Sequence, residues 1–265
     1  MIAIVVAIRE ELSTFVSRNK FVPAEQIDIN QCIFQSELIP DVVLMESGIG
    51  KSNAENATKI ILDRYKPSLL ISAGFAGSVK QSIEPGTIYL CNSLWVIEGT
   101  PAFWSTELAT QSTSLDQTTA LKFQTSINDM SFSCKLGSCM TVDQFVYNRD
   151  LKLWIGENFA VDVIDMESFW VSKIATESDI PNIVLRVVLD PVGQKLPPFV
   201  VEAAKNKKSR GVLKGLRHMA LNPGDIKTIY KLSLQVRRSR KILAENLQAI
   251  IEAQQTADIE SSTVR

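Results

Sequence analysis

Short runs of apolar residues alternate along the chain with stretches in which apolar residues recur every third or fourth position. Strand-like runs occur at Ile2–Ile8, Val42–Met45, Leu69–Ala73, Thr87–Val96, Val161–Ile164 and Ile183–Leu189, several of them continuously apolar and rich in Val and Ile. Side chains alternate sides along a strand, so an unbroken apolar run predicts a strand buried on both faces. Between these runs, Ser52–Tyr65 places Ala54, Ala57, Ile60, Ile61 and Tyr65 at helical spacing. Met166–Glu177 does the same with Phe169, Trp170 and Ile174. Strands alternating with helices predict an α/β domain around a mainly parallel sheet.

No internal repeat and no Gly/Ser linker interrupts this pattern. The one break in composition falls near Gly193–Pro198. Beyond it the sequence predicts helices: Val212–Leu221, with Leu213, Leu216 and Ala220 on one face, then a turn at Asn222-Pro223-Gly224. Asp225 is placed to cap a longer helix reaching about Gln254. The chain therefore divides into residues 1–195 and an appended helical extension, 196–265, packed on the same domain.

Composition narrows the class without choosing a function. With 45% hydrophobic residues spread along its length, the chain can build a core, which excludes disorder as its main state. No apolar run approaches the roughly 18–20 residues of a membrane-spanning helix. Ile2–Ile8 is too short for a signal peptide and is followed at once by Arg9, Glu10 and Glu11, so a cytoplasmic protein is expected. Cys32, Cys91, Cys134 and Cys139 lack CxxC spacing and read as reduced core thiols. The single histidine, His218, lies in a basic stretch far from other motifs. A Ser-His-Asp triad or a multi-histidine metal site would have to run through it alone, so acid–base chemistry falls to carboxylates, with no metal.

Three carboxylates stand near predicted strand ends, where open α/β sheets bind ligands. Glu11 follows the first strand, Glu167 follows Val161–Ile164, and Asp190 ends Ile183–Leu189. Each has a simple alternative, since acids favour the first turn of a helix and Asp before Pro starts turns. Two glycine segments accompany them: Ser47-Gly48-Ile49-Gly50-Lys51, and Gly74-Phe75-Ala76-Gly77, read as a loop after Leu69–Ala73. Glycines let a backbone approach a ligand, and tight turns alone would also explain them. Neither segment fits a dinucleotide fingerprint or a P-loop.

Taken in order, five segments resemble the nucleoside phosphorylase/nucleosidase superfamily, and within it the methylthioadenosine/S-adenosylhomocysteine nucleosidases. They are Ile-Val-Val-Ala-Ile-Arg-Glu-Glu-Leu at 4–12, Ser-Gly-Ile-Gly-Lys at 47–51, Ser-Ala-Gly-Phe-Ala-Gly at 72–77, Val-Ile-Asp-Met-Glu-Ser at 163–168 and Leu-Arg-Val-Val-Leu-Asp at 185–190. The resemblance covers residues 1–195 and implies a three-layer α/β/α fold around a mixed, partly barrel-like sheet. It implies cleavage of the N-glycosidic bond of a purine nucleoside, adenine above all, by water or phosphate. No cofactor is implied beyond phosphate as co-substrate, and a homo-oligomer is expected.

By position, Glu11 matches the carboxylate that orients or deprotonates the attacking water. Glu167 matches the one that binds the ribose hydroxyls, with Met166 packed on the sugar. Asp190 matches the acid at purine N7, Phe145 the aromatic residue stacked on the base, and Arg186 the arginine supporting the acidic cluster. Ser47, Gly48, Phe75, Ala76 and Gly77 complete the expected substrate contacts. The chemistry suits such a set, because protonating the purine turns a poor anionic leaving group into a neutral one. A second carboxylate offsets positive charge on the sugar.

The sequence also departs from the family. Leu189 precedes Asp190 where nucleosidases often carry serine, so a hydrogen bond positioning the acid is expected to be missing. Phe75 stands where a small polar residue is common. These changes keep open a catalytically weak relative that binds nucleosides or serves as a storage or scaffold protein. The phosphate-holding arginines of phosphorylases have no clear counterparts, and Arg9 is unassigned.

From Lys205 to Lys241 lie twelve basic residues and one acid, Asp225, against a remainder of net charge −12. Asp190-Pro-Val-Gly-Gln-Lys-Leu-Pro-Pro followed by basic helices resembles the hopanoid-biosynthesis-associated phosphorylases, which implies a 5′-lipid-substituted substrate such as adenosylhopane. Lys227, Lys231, Arg238 and Lys241 share a broad helix face, with Ile226, Tyr230 and Leu243 on an apolar one. Residues 205–241 would then meet an anionic membrane surface at the inner face, or else pack on the acidic body. With Tyr230 as its one aromatic residue, the segment offers no base-stacking platform, so no nucleic-acid partner is expected.

Overall fold

The first strand shows why the apolar runs are unbroken. In β1 (Ile2–Val6), Ile2, Ile4 and Val6 join one hydrophobic cluster while Ala3 and Val5 join another on the opposite face. The same division holds in β4 (Val42–Glu46), where Val42 and Leu44 face one way and Val43 and Met45 the other. Helices cover both faces, the three-layer arrangement that the family resemblance implied. The structure is a computed structural model and describes residues 1–113, 121, 123–125, 134–194 and 226–263.

In chain order the other elements are α1 (Ser13–Arg18), β2 (Val22–Gln26), β3 (Cys32–Gln35), α2 (Lys51–Tyr65), β5 (Leu69–Ser78), β6 (Ile88–Ile97), β7 (Thr110–Thr113) and β8 (Cys134–Val142). They continue with α3 (Arg149–Asn158), β9 (Val163–Asp165), α4 (Ser168–Glu177), β10 (Asn182–Asp190) and α5 (Ile226–Thr263). A short 3-10 turn, Arg9–Leu12, links β1 to α1.

The sheet is mixed and closes on itself through β5. Leu69–Ser72 pair in parallel with β1, whereas Gly77 and Ser78 pair antiparallel with β9. On its other side β5 runs parallel to β10. The circuit β5–β10–β6–β8–β9 returns to β5 and forms the barrel-like part, while β1, β4, β3 and β2 extend outward as an open wing. Closure explains one departure from the sequence reading. Gly74-Phe75-Ala76-Gly77 is not a loop but the second half of β5, paired with Arg186, Val187, Val188 and, past a bulge at Leu189, Asp190 of β10.

One apolar layer joins Ile4, Leu44, Ile71 and Leu185 to Phe15 of α1 and to Leu243, Leu247, Ile250 and Ile251 of α5. The opposite layer packs Ala57 and Ile61 of α2 against Phe169, Trp170 and Ile174 of α4 and the sheet between. A third, around Val79, Met140, Ile155 and Phe159, seats α3 at the end of the barrel. All four cysteines are buried thiols outside any disulfide.

The long α5 helix is half docked and half exposed. Leu243 is fully buried, but Tyr230 is 63% exposed, so the apolar face expected to join them is divided between core and solvent. Gln235 bonds the Leu189 carbonyl and Glu245 pairs with Arg18 of α1, which tie the helix to the body, while Lys241 pairs with Glu245 within the helix itself. The predicted helix Val212–Leu221, His218, the Asp225 cap and most of the basic segment lie outside the described residues. No helix among the described residues is long and apolar enough to cross a membrane.

Candidate active site

Glu11 reaches the ends of the central strands because the 3-10 turn after β1 folds back over β5. Its Oε2 accepts the Phe75 backbone N–H at 3.4 Å. The close approach requires Gly74, since a Cβ there would lie 2.6 Å from that oxygen. Glu167 stands just before α4, and its Oε1 accepts the Gly50 N–H at 2.8 Å. Gly50 has φ +90°, a left-handed conformation that suits glycine and turns its amide at the start of α2 towards the carboxylate. The Ser47-Gly48-Ile49-Gly50 segment therefore acts through Gly50. Gly48 lies beside Asn53 and Asn30, away from the cavities.

Glu11, Ser47, Gly74, Phe75, Glu167 and Arg186 line one cavity. Gly77, Phe145, Asp165, Met166 and Asp190 line a second. The two adjoin, because Asp165, Met166 and Glu167 are consecutive and the Arg186 Nε donates to Asp165 Oδ2 at 2.8 Å. Every expected site residue lines one of these cavities except Gly48 and Ala76. Ala76 points into the core beneath the sheet, because alternation along β5 turns it away from Phe75 and Gly77.

Burial and mutual repulsion set the charge state of the first cavity. Burial, and after it the Glu167 charge, push Glu11 up to about 8. Burial and then Asp165 push Glu167 up to about 7. Arg186 is held charged despite burial by Asp165, and its Nη atoms donate to the Ser72 carbonyl and hydroxyl at 3.0 and 2.8 Å. Asp165 is held in turn by Thr141 at 2.7 Å and by the Ser168 N–H at 3.1 Å. Two carboxyls that keep protons near neutral pH beside a fixed guanidinium suit acid–base work.

Asp190 is not left without a positioning partner. The Lys152 Nζ lies 2.5 Å from its Oδ2 and also donates to its backbone carbonyl at 3.0 Å. Leu189 carries no hydrogen-bonding side chain, and an ammonium from a distant helix holds the Asp190 carboxyl instead. The sequence offered no signal for it, as Lys152 sits among Leu151, Leu153 and Trp154 like a solvent-facing lysine. Asp165 and Gly50 were also missed, although both lie inside recognised segments. Arg9 lines neither cavity, and its guanidinium lies 5.4 Å from the centre of the Phe34 ring. Among the described residues, no group of three or more His, Cys, Asp or Glu is placed to hold a metal ion.

The family model of the Phosphorylase superfamily matches residues 1–214. The chain belongs to this superfamily. It is 27% identical over 221 residues to the 5′-methylthioadenosine/S-adenosylhomocysteine nucleosidase of Staphylococcus haemolyticus, covering 79% of this chain and 96% of that protein. It is 26% identical over 226 residues to the nucleosidase of the same name from Bacillus licheniformis, covering 77% and 94%. Among solved structures, futalosine hydrolase of Helicobacter pylori superposes with a TM-score of 0.70 at 17% identity, covering 95% of this chain and 97% of that one. The H. pylori 5′-methylthioadenosine/S-adenosylhomocysteine nucleosidase gives the same values. The superfamily fold is thus shared well beyond the sequence similarity.

Proposed function

We propose that the protein cleaves the N-glycosidic bond of a purine nucleoside, with adenine as the preferred base. One observation carries this reading: Glu11 and Glu167 face a single cavity that adjoins the one edged by Asp190. In the proposed reaction the ribose lies at Glu167 and Met166 and the base lies between Phe145 and Asp190. Glu11, in its ionised form, takes a proton from the attacking water, and Asp190 delivers one to purine N7 as the bond to the sugar breaks. Arg186 holds Asp165 and tempers the negative charge of the two glutamates.

The similarity to methylthioadenosine/S-adenosylhomocysteine nucleosidases supports adenine and a bulky or apolar 5′ group. A lipid substituent such as that of adenosylhopane follows from the C-terminal sequence resemblance and is one arm of the test. Free adenine is measured after incubation with methylthioadenosine, S-adenosylhomocysteine and adenosylhopane, each with and without phosphate. The expected result is adenine release from at least one substrate, abolished by Asp190→Asn and reduced about 10²–10⁴-fold by Glu11→Gln. No release across this panel overturns the proposal. Nucleoside binding without turnover is the second reading, favoured by the Lys152 ammonium, which biases Asp190 towards the carboxylate that cannot donate.

A further inference from the structure

Lys152 is the most enclosed cation near the site, with its side chain only 2% exposed. A buried ammonium costs several kcal/mol of lost hydration unless it is paired, so its place needs a structural cause. Helix α3 supplies one. The Asn148 side chain caps it by accepting the Leu151 N–H at 2.9 Å. One turn beyond Lys152 and on the same face, Gly156 lies so close to the chain leaving β5 that a Cβ there would sit 2.4 Å from the Val79 carbonyl oxygen. The missing side chain lets α3 settle onto the barrel end and carries Lys152 inward. Gly77 completes the passage, since a Cβ there would lie 3.3 Å from Nζ. Two glycines and a cap thus aim one ammonium at one carboxyl.

Resting on the reading that Asp190 meets the base, we propose that Lys152 is a positioning residue for the reaction. Its ammonium fixes the Asp190 carboxyl at the edge of the second cavity and supplies the counter-charge for the carboxylate left when a proton passes to the purine. In that step the Asp190 O–H bond breaks as N7–H forms, the electrons of the glycosidic bond pass to the base, and Lys152 keeps all its protons. Lys152 lines neither cavity and acts only through Asp190.

The electrostatics agree in sign. Burial raises Asp190 and lowers Lys152, and each opposes the shift of the other. The other charged group on the second cavity is Asp165, and its charge is taken up by Arg186. Removing the ammonium therefore leaves burial unopposed and strengthens proton binding at Asp190.

The test reads Asp190 through adenine binding, which needs no turnover. Calorimetry of adenine with the full chain is run from pH 5 to pH 9, with 7-deazaadenine as the ligand lacking the N7 acceptor. Wild-type affinity for adenine is expected to fall as pH rises past the point where Asp190 loses its proton. In Lys152→Met the fall moves to higher pH by about one unit or more, a tenfold change in proton affinity. Lys152→Gln retains hydrogen-bond donors without the charge and is expected to shift the same way, which covers a Met variant that does not fold. 7-Deazaadenine shows no such fall.

A fall at unchanged or lower pH in the folded variant, or a uniform loss of affinity at all pH values, overturns the assignment. A wild type that binds no adenine overturns it too. Adenine binding with the expected shift but no nucleoside cleavage overturns the proposed reaction and leaves Lys152 as the residue that sets Asp190.

Discussion

The Arg186 guanidinium and the Asp165 carboxylate form an ion pair at 2.8 Å in which the side chains are only 3% and 2% exposed. The pair joins β10 to β9, with Arg186 lining one cavity and Asp165 the other. Removing one partner of a buried pair leaves an uncompensated charge, which costs far more than the pair itself contributes.

Arg186→Met is accordingly expected to lower stability by about 3–5 kcal/mol, read from the midpoint of urea unfolding. Replacing Asp165 by Leu in the same chain should recover part of that loss, because no bare charge then remains. A single variant as stable as wild type would show that the pair is not buried as described.

Gly74 provides a test of geometry separate from stability. A Cβ at this position meets the far end of the Glu11 side chain at 2.6 Å, with the Arg186 Nη1 next at 3.7 Å. Glu11 can swing aside at little cost, so Gly74→Ala should fold normally. Misplacing a reacting group by about 1 Å can cost about 10²-fold in rate. Nucleoside cleavage is therefore expected to fall by about that factor with an unchanged unfolding midpoint, and an unchanged rate would place Glu11 outside the chemistry.

Stability should also depend on pH through Glu11. Its ordinary value is 4.5, and burial followed by the Glu167 charge raises it to about 8 in the folded protein. Below 4.5 both states hold the proton. Between 4.5 and 8 the unfolded chain has lost a proton that the folded one keeps, so stability falls as pH rises across that window. Glu11→Gln removes this contribution. Its melting temperature should exceed that of wild type at pH 9 and match it near pH 4, each kcal/mol recovered being worth about 2–4 °C.

Gly156→Ala tests the seating of α3. The new methyl would meet backbone, the Val79 carbonyl oxygen at 2.4 Å, which cannot swing aside. The helix must move outward, and overpacking of this kind costs about 1–3 kcal/mol. A lower melting temperature is expected, with the fall in adenine affinity moving to higher pH as Lys152 withdraws from Asp190. Retained stability would contradict the close approach.

Periodicity revealed elements whose burial is uniform along their length. β1, β4, the first half of β5 and β10 were legible because both faces are apolar, and α2 because one stripe is. β2 left no such trace, with all five residues exposed at the outer edge of the wing. β8 was hidden because it lies inside the barrel wall, where Gly137 and Ser138 fit against Tyr89 and Asp162 rather than forming an apolar run. The glycines of β5 looked like a loop because local preference cannot report that β10 will pair with them.

The sequence by itself determined the alternation of strand and helix, the order of five family segments, and the placing of Glu11, Glu167 and Asp190 near strand ends. Only the tertiary structure decided that Arg186 would hold Asp165 and that Gly74 would admit Glu11. It alone placed Lys152 against a carboxyl 38 residues further along the chain. The reason is one of range. Hydrophobic periodicity records what neighbouring residues do on a single element, whereas a site assembled by closing a sheet depends on contacts that become local only once the chain has folded.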